Sequence, residues 1–145
     1  MGAAHSRYGI PDVDLPGTDG GTVNPAHFAG HEIVVLFCPA DREAAERDVA
    51  DYAEHLEDFR DSDAWILGIC DEEQSPCAHP AMAFTMARDD QRLAWDAFQD
   101  LLNPRQRTPR EDGAVFLFDR GGGLRRSWVG SGHASEVAHA VSERR

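Results

Sequence analysis

The chain has 145 residues, 41% of them hydrophobic and 28% charged, and a formal net charge of −12 at pH 7. This length and composition fit one soluble globular domain with its own hydrophobic core. The acidic balance argues against a nucleic-acid partner, because binding a phosphate backbone requires a concentrated basic surface. The chain contains no lysine, which excludes Schiff-base lysine chemistry and a phosphate-loop lysine.

The expected location is the cytoplasm. No apolar run approaches the length that spans a bilayer, so no membrane partner is predicted. The N-terminus, "MGAAHSRYGIPD", lacks the charged start and apolar stretch of a secretory signal. The three cysteines, Cys38, Cys70 and Cys77, are an odd number, which favours buried thiols or redox chemistry over a disulfide framework.

The first predicted elements are two short extended pieces around the Asp-Gly-Gly turn of "PDVDLPGTDGGTVN" (11–24). "IVVLFC" (33–38) is a continuous apolar run, typical of a strand buried on both faces of a sheet. From Asp41 the apolar residues recur with helical spacing as far as Phe59. This pattern predicts one helix of about five turns, with Asp41 as its N-cap.

"WILGIC" (65–70) predicts a second buried strand, parallel to the first and joined to it by a right-handed crossover. A helix is predicted over 89–102, then two antiparallel strands joined at "DRGGG" (119–123), then a closing helix in "HASEVAHAV" (133–141). The order β-α-β-α-β-β-α predicts an α/β fold, a thioredoxin-like three-layer α/β/α sandwich with a mixed central sheet. One domain spans 1–145.

Several segments resemble, in order, the peroxiredoxins of the alkyl hydroperoxide reductase and thiol-specific antioxidant family. "IPDVDLPGTDGGTVNPAHFAGHEIVVLFCPAD" (10–41) is similar to their "PDF-LPDTDGKTVSLSDFKGK-VVLFFYPAD", and "WILGICDE" (65–72) is similar to "VLGISVDS". "AFTMARDDQRLAWDAF" (83–98) resembles "FPLLSDPDGEVAKAYG", and "AVFLFDRGGGLRRSWVG" (114–130) resembles "TFVIDRDGIIRYVWVG". The resemblance covers nearly the whole chain. It implies the thioredoxin fold and a homodimer.

The resemblance also implies where the chemistry of the family should lie. Peroxiredoxins reduce peroxides with a cysteine at a helix start, in a Pro-x-x-x-Thr-x-x-Cys motif. In this sequence the proline is Pro39, but Glu43 stands at the threonine position and Glu46 at the cysteine position. A carboxylate cannot cycle through a sulfenic acid, so a degenerate active site is predicted. Arg110 is the nearest counterpart of the family's arginine, two or three residues earlier than the pattern places it.

Two functions follow. The first is a non-peroxidatic binding or redox-regulatory module with a protein or small-molecule ligand in the former active-site pocket. The predicted pocket residues are Pro39, Glu43, Glu46 and Arg110.

The alternative is a thiol-dependent oxidoreductase, an antioxidant enzyme that uses Cys38, with Cys70 as a possible second thiol. Both cysteines end predicted parallel strands, so they could lie close together at one edge of the sheet. A strand-end cysteine is more often a small buried hydrophobic residue.

The remaining candidate site residues have simpler structural explanations. Glu43 and Glu46 stand in the first turns of a helix, where acids complement its dipole; alternatively, an arginine of 105–110 pairs with Glu46. Cys77 and His79 match no strong zinc or copper spacing, so no metal or other cofactor is predicted. Ser131 or His133 precedes the closing helix and could cap it or bind an anion; capping is the expected role.

Overall fold

The computed structural model describes residues 9–17, 20–71, 84–89 and 92–143. Its strands are β1 (Leu15–Pro16), β2 (Thr22–Val23), β3 (Glu32–Phe37), β4 (Ala64–Asp71), β5 (Thr85–Asp89), β6 (Ala114–Phe118) and β7 (Leu124–Val129). β1 and β2 form a small antiparallel hairpin. The other strands form one sheet in the order β5-β4-β3-β6-β7, in which β3, β4 and β5 are parallel and β6 and β7 are antiparallel to their neighbours.

The helices are α1 (Arg42–Glu54), α2 (Leu56–Asp61), α3 (Leu93–Gln99) and α4 (Ala134–Ser142). Short 3₁₀ turns occupy Pro25–Phe28, Pro104–Gln106 and Arg110–Asp112. Nowhere in the described part of the chain does a helix combine the length and apolarity needed to cross a bilayer.

The sheet separates two layers of buried side chains. Residues of α1, α2 and α4 pack on one face, against the alternate β3 residues Val34 and Leu36. Residues of α3 and of the N-terminal segment pack on the other face, against Ile33 and Val35. Every residue of β3 is buried, as expected for a central strand covered on both sides. The predicted α/β/α sandwich with a mixed sheet is confirmed.

The long predicted helix is two helices. It starts as expected, because the Asp41 side chain accepts a 2.9 Å hydrogen bond from the Ala44 amide. It is interrupted at His55, whose φ of −98° and ψ of 13° are not helical. The His55 ring lies 3.2 Å from the Asp58 carboxylate in the first turn of α2. The spacing of the apolar residues correctly predicts which face of the two helices is buried. It does not predict where one helix ends and the next begins.

The helix predicted over 89–102 is shorter, because the chain first forms an unpredicted edge strand. β5 runs parallel to β4, pairing Leu67 with Thr85 and Asp71 with Asp89. The buried Asp89 side chain then accepts 2.9 Å hydrogen bonds from the backbone amides of Ala94 and Trp95, in the first turn of α3. This carboxylate fixes the point at which the helix begins.

Candidate functional site

The junction between β3 and α1 is the place where the sequence predicts the active-site pocket. β3 ends at Phe37, the buried residues Cys38 and Pro39 follow, and α1 begins at Arg42. The junction lies at the carboxyl ends of the parallel strands. In α/β sheets this is the edge at which ligands and catalytic groups gather.

Glu43 and Glu46 lie on the outer surface of α1, and both are exposed. The Glu46 carboxylate lies 3.3 Å from Nε of Arg42, one helical turn earlier, and half of the Glu46 side chain is accessible to solvent. An exposed pair of this kind contributes at most about 1 kcal/mol to stability. Glu46 therefore takes part in a surface ion pair within its own helix.

Cys38 lies in the protein interior. Its exposed fraction is 0%, and its side chain belongs to the core layer beneath α1 and α4. Its amide donates a 2.9 Å hydrogen bond to the carbonyl of Ile69 in β4. A thiol in such a position packs as a small apolar group and is inert unless the surrounding structure opens.

Cys70 is the neighbour of Cys38 across the sheet. The parallel register pairs Phe37 with Ile69, so the next residues on the two strands face each other. Both cysteines are fully buried in the same core layer, and no disulfide joins them. Both thiols therefore lie in the same core layer, one residue beyond the last paired residues of β3 and β4. Cys77 and His79 lie outside the described residues.

Arg110 is the most deeply buried charged group at the junction, with an exposed fraction of 2%. It lies in the 3₁₀ turn that precedes β6, and its Nη1 donates a 2.7 Å hydrogen bond to the carbonyl oxygen of Cys38. Its guanidinium lies 5.6 Å from the ring centre of Phe37 and 5.3 Å from that of Trp95. Arg110 therefore fixes the backbone at the end of β3.

The predicted pocket residues thus separate into two groups. Pro39 and Arg110 meet at the buried end of β3, whereas Glu43 and Glu46 are on the solvent side of α1. The structure gives Glu46 and Arg110 different partners, Arg42 and the Cys38 carbonyl, instead of the hypothesised pair between Glu46 and the arginine loop.

Gly113 closes the junction from the other side. Its φ of +76° is in the left-handed region, and a Cβ atom built there would lie 2.7 Å from the Phe37 carbonyl oxygen and 3.0 Å from the Pro39 nitrogen. Only glycine fits this close approach without displacing the backbone. The glycine is visible in "EDGAV" (111–115), but a single glycine before a strand is common in loops that bind nothing.

Two polar side chains of α1 lie in the core and were not predicted as site residues. Asp48 is 2% exposed; one carboxylate oxygen accepts a 3.0 Å hydrogen bond from the Gly132 amide. Within the described part of the chain, the other Asp48 oxygen and the hydroxyl of the fully buried Tyr52 have no hydrogen-bond partner. Burial raises the pKa of Asp48, although the bond from Gly132 opposes the shift. Burial, with help from nearby Asp48, also raises the pKa of Tyr52.

His133 occupies the N-cap position of α4, but its side chain makes no capping hydrogen bond, contrary to the expected capping role. Instead, Nδ1 lies 2.6 Å from the Glu136 carboxylate and Nε2 lies 2.8 Å from the Val129 carbonyl oxygen. Burial disfavours the protonated ring, but these two hydrogen bonds and the charges of Glu136 and Asp48 together raise the pKa of His133. No group of three or more potential metal ligands clusters among the described residues.

Comparison with solved structures identifies the fold. Peroxiredoxin Q of Xanthomonas campestris superposes with a TM-score of 0.76 at 22% identity, over 93% of each chain. A thiol:disulfide interchange protein of the thioredoxin family from Chlorobium tepidum superposes with a TM-score of 0.74 at 16% identity, over 94% of each chain. The sandwich is therefore a thioredoxin fold, as predicted.

The family follows from the sequence comparisons. The model of the AhpC/TSA family matches residues 8–127, so this protein belongs to the AhpC/TSA family. The chain is also 27% identical over 140 residues to peroxiredoxin Bcp of Bacillus subtilis, which covers 90% of this chain and 88% of that protein. The resemblance found in the sequence is confirmed.

Proposed function

We propose that this AhpC/TSA protein is a binding or redox-regulatory module that does not reduce peroxides by the cysteine chemistry of its relatives. The observation that carries the proposal is Glu46. It stands where the family motif requires the attacking cysteine, and its carboxylate lies in a surface pair with Arg42. A carboxylate has no sulfenic acid state, so it cannot accept an oxygen atom from a peroxide and be reduced again.

Two further features of the junction support the loss of peroxide chemistry. Glu43 replaces the threonine whose hydroxyl forms a hydrogen bond with the peroxide in the family motif. Arg110, the nearest counterpart of the family's arginine, donates to a backbone carbonyl in the interior. The ligand expected at the former active-site pocket is a protein segment or a small molecule that binds beside Pro39.

The homodimer implied by the resemblance is a further proposal, which sedimentation equilibrium tests directly against the monomer mass of 16.0 kDa.

The adjacency of Cys38 and Cys70 favours one alternative function, a thiol-dependent peroxidase. The Cys38 thiolate would attack the peroxide, leaving a sulfenic acid and releasing an alcohol or water. The Cys70 thiol would then condense with the sulfenic acid to form a disulfide and release one water, and an external dithiol would reduce that disulfide. Both thiols have no exposed surface, so this chemistry requires the junction to open first.

Thiol titration combined with a peroxidase assay distinguishes the two functions. The folded protein is titrated with dithiobis(nitrobenzoate), and hydrogen peroxide consumption is followed in the presence of dithiothreitol, with Bacillus subtilis peroxiredoxin Bcp as the positive control. We expect Cys38 and Cys70 to react only on unfolding, and peroxide consumption to equal that of dithiothreitol alone.

Single serine variants of Cys38, Cys70 and Cys77 assign any reactivity that is found. Peroxide turnover that is lost in Cys38→Ser and kept in Cys77→Ser would overturn the binding-module proposal and establish the alternative. Turnover that is lost only in Cys77→Ser would overturn both. A circular dichroism spectrum of each variant separates the loss of a thiol from the loss of the fold.

A further inference from the structure

The segment between β7 and α4 (130–133), which we call the β7–α4 loop, is tied to the rest of the protein by backbone amides and by the side chain of a histidine. The Gly130 amide donates a 3.0 Å hydrogen bond to the carbonyl of Gly113, the glycine that closes the β3–α1 junction. The Gly132 amide donates a 3.0 Å hydrogen bond to the buried carboxylate of Asp48 on α1. The loop therefore lies over Asp48, beside the junction.

His133 is hydrogen-bonded through both nitrogens of its ring, to two oxygens that can only accept. Nδ1 lies 2.6 Å from the Glu136 carboxylate, and Nε2 lies 2.8 Å from the Val129 carbonyl oxygen. A neutral imidazole carries one N–H, so it can donate to only one of these two oxygens. Both contacts are satisfied together only in the imidazolium, in which both nitrogens donate. This geometry corresponds to a positively charged His133.

The charges that face His133 are carboxylates on two helices. Glu136 lies one turn later on α4, and the buried Asp48 faces the ring from α1. The other titratable groups close to Asp48 on α1 are Arg47, Asp51 and Tyr52. The start of a helix disfavours a cation, because the helix dipole is positive there. The two carboxylates are therefore the groups that stabilise the imidazolium at this position.

We propose that His133 is a pH-sensitive clasp, which as an imidazolium holds the β7–α4 loop closed over Asp48 and as a neutral ring lets the loop loosen. When the ring loses a proton, either the Glu136 carboxylate or the Val129 carbonyl loses its donor. The buried Asp48 carboxylate loses its nearby cation in the same step, so keeping this carboxylate buried costs more. The hydrogen bond from Gly132 to Asp48 should then break more often.

The direction of the pKa shift gives the pH range in which the clasp works. Burial lowers the pKa of His133, but the hydrogen bonds to Glu136 and Val129 and the charges of Glu136 and Asp48 together raise it above the ordinary value of 6.5. The folded protein thus holds this proton more tightly than the unfolded chain does. The stabilisation is fully present below pH 6.5 and is lost as the pH rises through the folded-state pKa.

Nuclear magnetic resonance measures both the proton on His133 and the state of the loop. The histidine ring protons are titrated between about pH 5 and pH 9, and solvent exchange of the Gly132 amide is measured over the same range. We expect His133 to titrate above pH 6.5. Across that titration the protection factor of the Gly132 amide should fall about fivefold, as for the loss of one partly exposed charge pair.

Two substitutions test the groups of the clasp. In His133→Gln the Gly132 protection factor should be low and independent of pH, because no titrating ring is left. In Glu136→Gln its fall should move to lower pH, because Nδ1 of His133 loses its carboxylate. The matched controls are His139→Gln and Glu143→Gln, an exposed pair at the other end of α4 whose atoms lie 3.5 Å apart. They should leave both measurements unchanged. Urea unfolding of each variant confirms that the fold is kept.

Three results would overturn the proposal. These are a His133 ring that titrates below pH 6.5 in the folded protein, a Gly132 protection factor that does not change with pH, and an equal effect of His133→Gln and His139→Gln. The clasp uses no cysteine and requires no ligand. None of these outcomes depends on thiol reactivity or peroxide turnover, so the clasp and the proposed function stand or fall separately.

Discussion

Asp48 is an acid placed among the apolar side chains between α1 and α4, and its burial couples the stability of the protein to pH. Burial raises its pKa above the ordinary value of 3.8. The folded state therefore binds a proton more tightly than the unfolded state does. The resulting stabilisation is fully present below pH 3.8 and is lost as the pH rises through the folded-state pKa. At neutral pH the ionised carboxylate is a cost to the folded state.

The variant Asp48→Asn removes this cost and keeps an oxygen to accept the Gly132 hydrogen bond. At pH 7 we expect its free energy of unfolding to equal or exceed that of the wild type, by up to about 1 kcal/mol. Near pH 4 the advantage should vanish, because the wild-type carboxyl regains its proton. Urea unfolding at both pH values measures the difference, with Asp51→Asn on the same helix as the control. A variant that is less stable by the same amount at both pH values would contradict the prediction.

Arg110 connects the turn before β6 to the end of β3, so its removal should open the junction. In Arg110→Met the hydrogen bond to the Cys38 carbonyl and the buried guanidinium are lost together. We expect a loss of about 2–4 kcal/mol in the free energy of unfolding, and faster labelling of Cys38 in the folded protein. Urea unfolding and mass spectrometry of labelled peptides measure the two effects. Arg105→Met, on an exposed residue of the same loop, should change neither.

At the scale of single elements, α1 allows a test of whether position 46 corresponds to the cysteine position of the family motif. A cysteine introduced by Glu46→Cys occupies the motif position and lies one turn after Arg42, the present partner of Glu46. A cysteine introduced by Glu54→Cys occupies the other end of the same helix, where the dipole disfavours a thiolate. We expect the thiol at position 46 to be alkylated by iodoacetamide with a lower pKa than the thiol at position 54.

Restoring this cysteine should not restore peroxide turnover. Glu43 still replaces the motif threonine, and Arg110 still donates to the Cys38 carbonyl. We therefore expect the Glu46→Cys variant to consume hydrogen peroxide no faster than an ordinary exposed thiol. Fast turnover in this variant would show that the rest of the peroxidase site is intact.

The elements that the sequence predicts well are those whose own pattern decides their structure. β3 is apolar at nearly every position, and the Asp41 cap is a local hydrogen bond. β5 is different, because "TMARD" (85–89) has no apolar alternation or β-branched run, and it forms by pairing with β4. The close approach of Gly113 to Phe37 and Pro39 likewise depends on a contact between distant segments.

In the candidate site, too, some features can be predicted from the local sequence and others depend on contacts between distant segments. The replacement of the motif residues by Glu43 and Glu46 is readable from the sequence, because the motif is contiguous. The burial of Asp48 is partly readable, since it lies four residues before Tyr52 on the same face of α1. The hydrogen bond from the Gly132 amide to Asp48 is not readable, because the two residues lie 84 positions apart in the sequence.

At the scale of the whole molecule, the excess of 26 acidic over 14 basic residues should destabilise the folded state through self-repulsion. Salt screens this repulsion, so at pH 7 we expect the thermal midpoint to rise by a few degrees between about 10 and 300 mM sodium chloride. At pH 5, close to the isoelectric point of about 4.8, the net charge nearly vanishes and the increase should disappear. Calorimetry at the two pH values tests both parts. A midpoint that falls with salt at pH 7 would mean that attractive pairs such as Arg42–Glu46 outweigh the net repulsion.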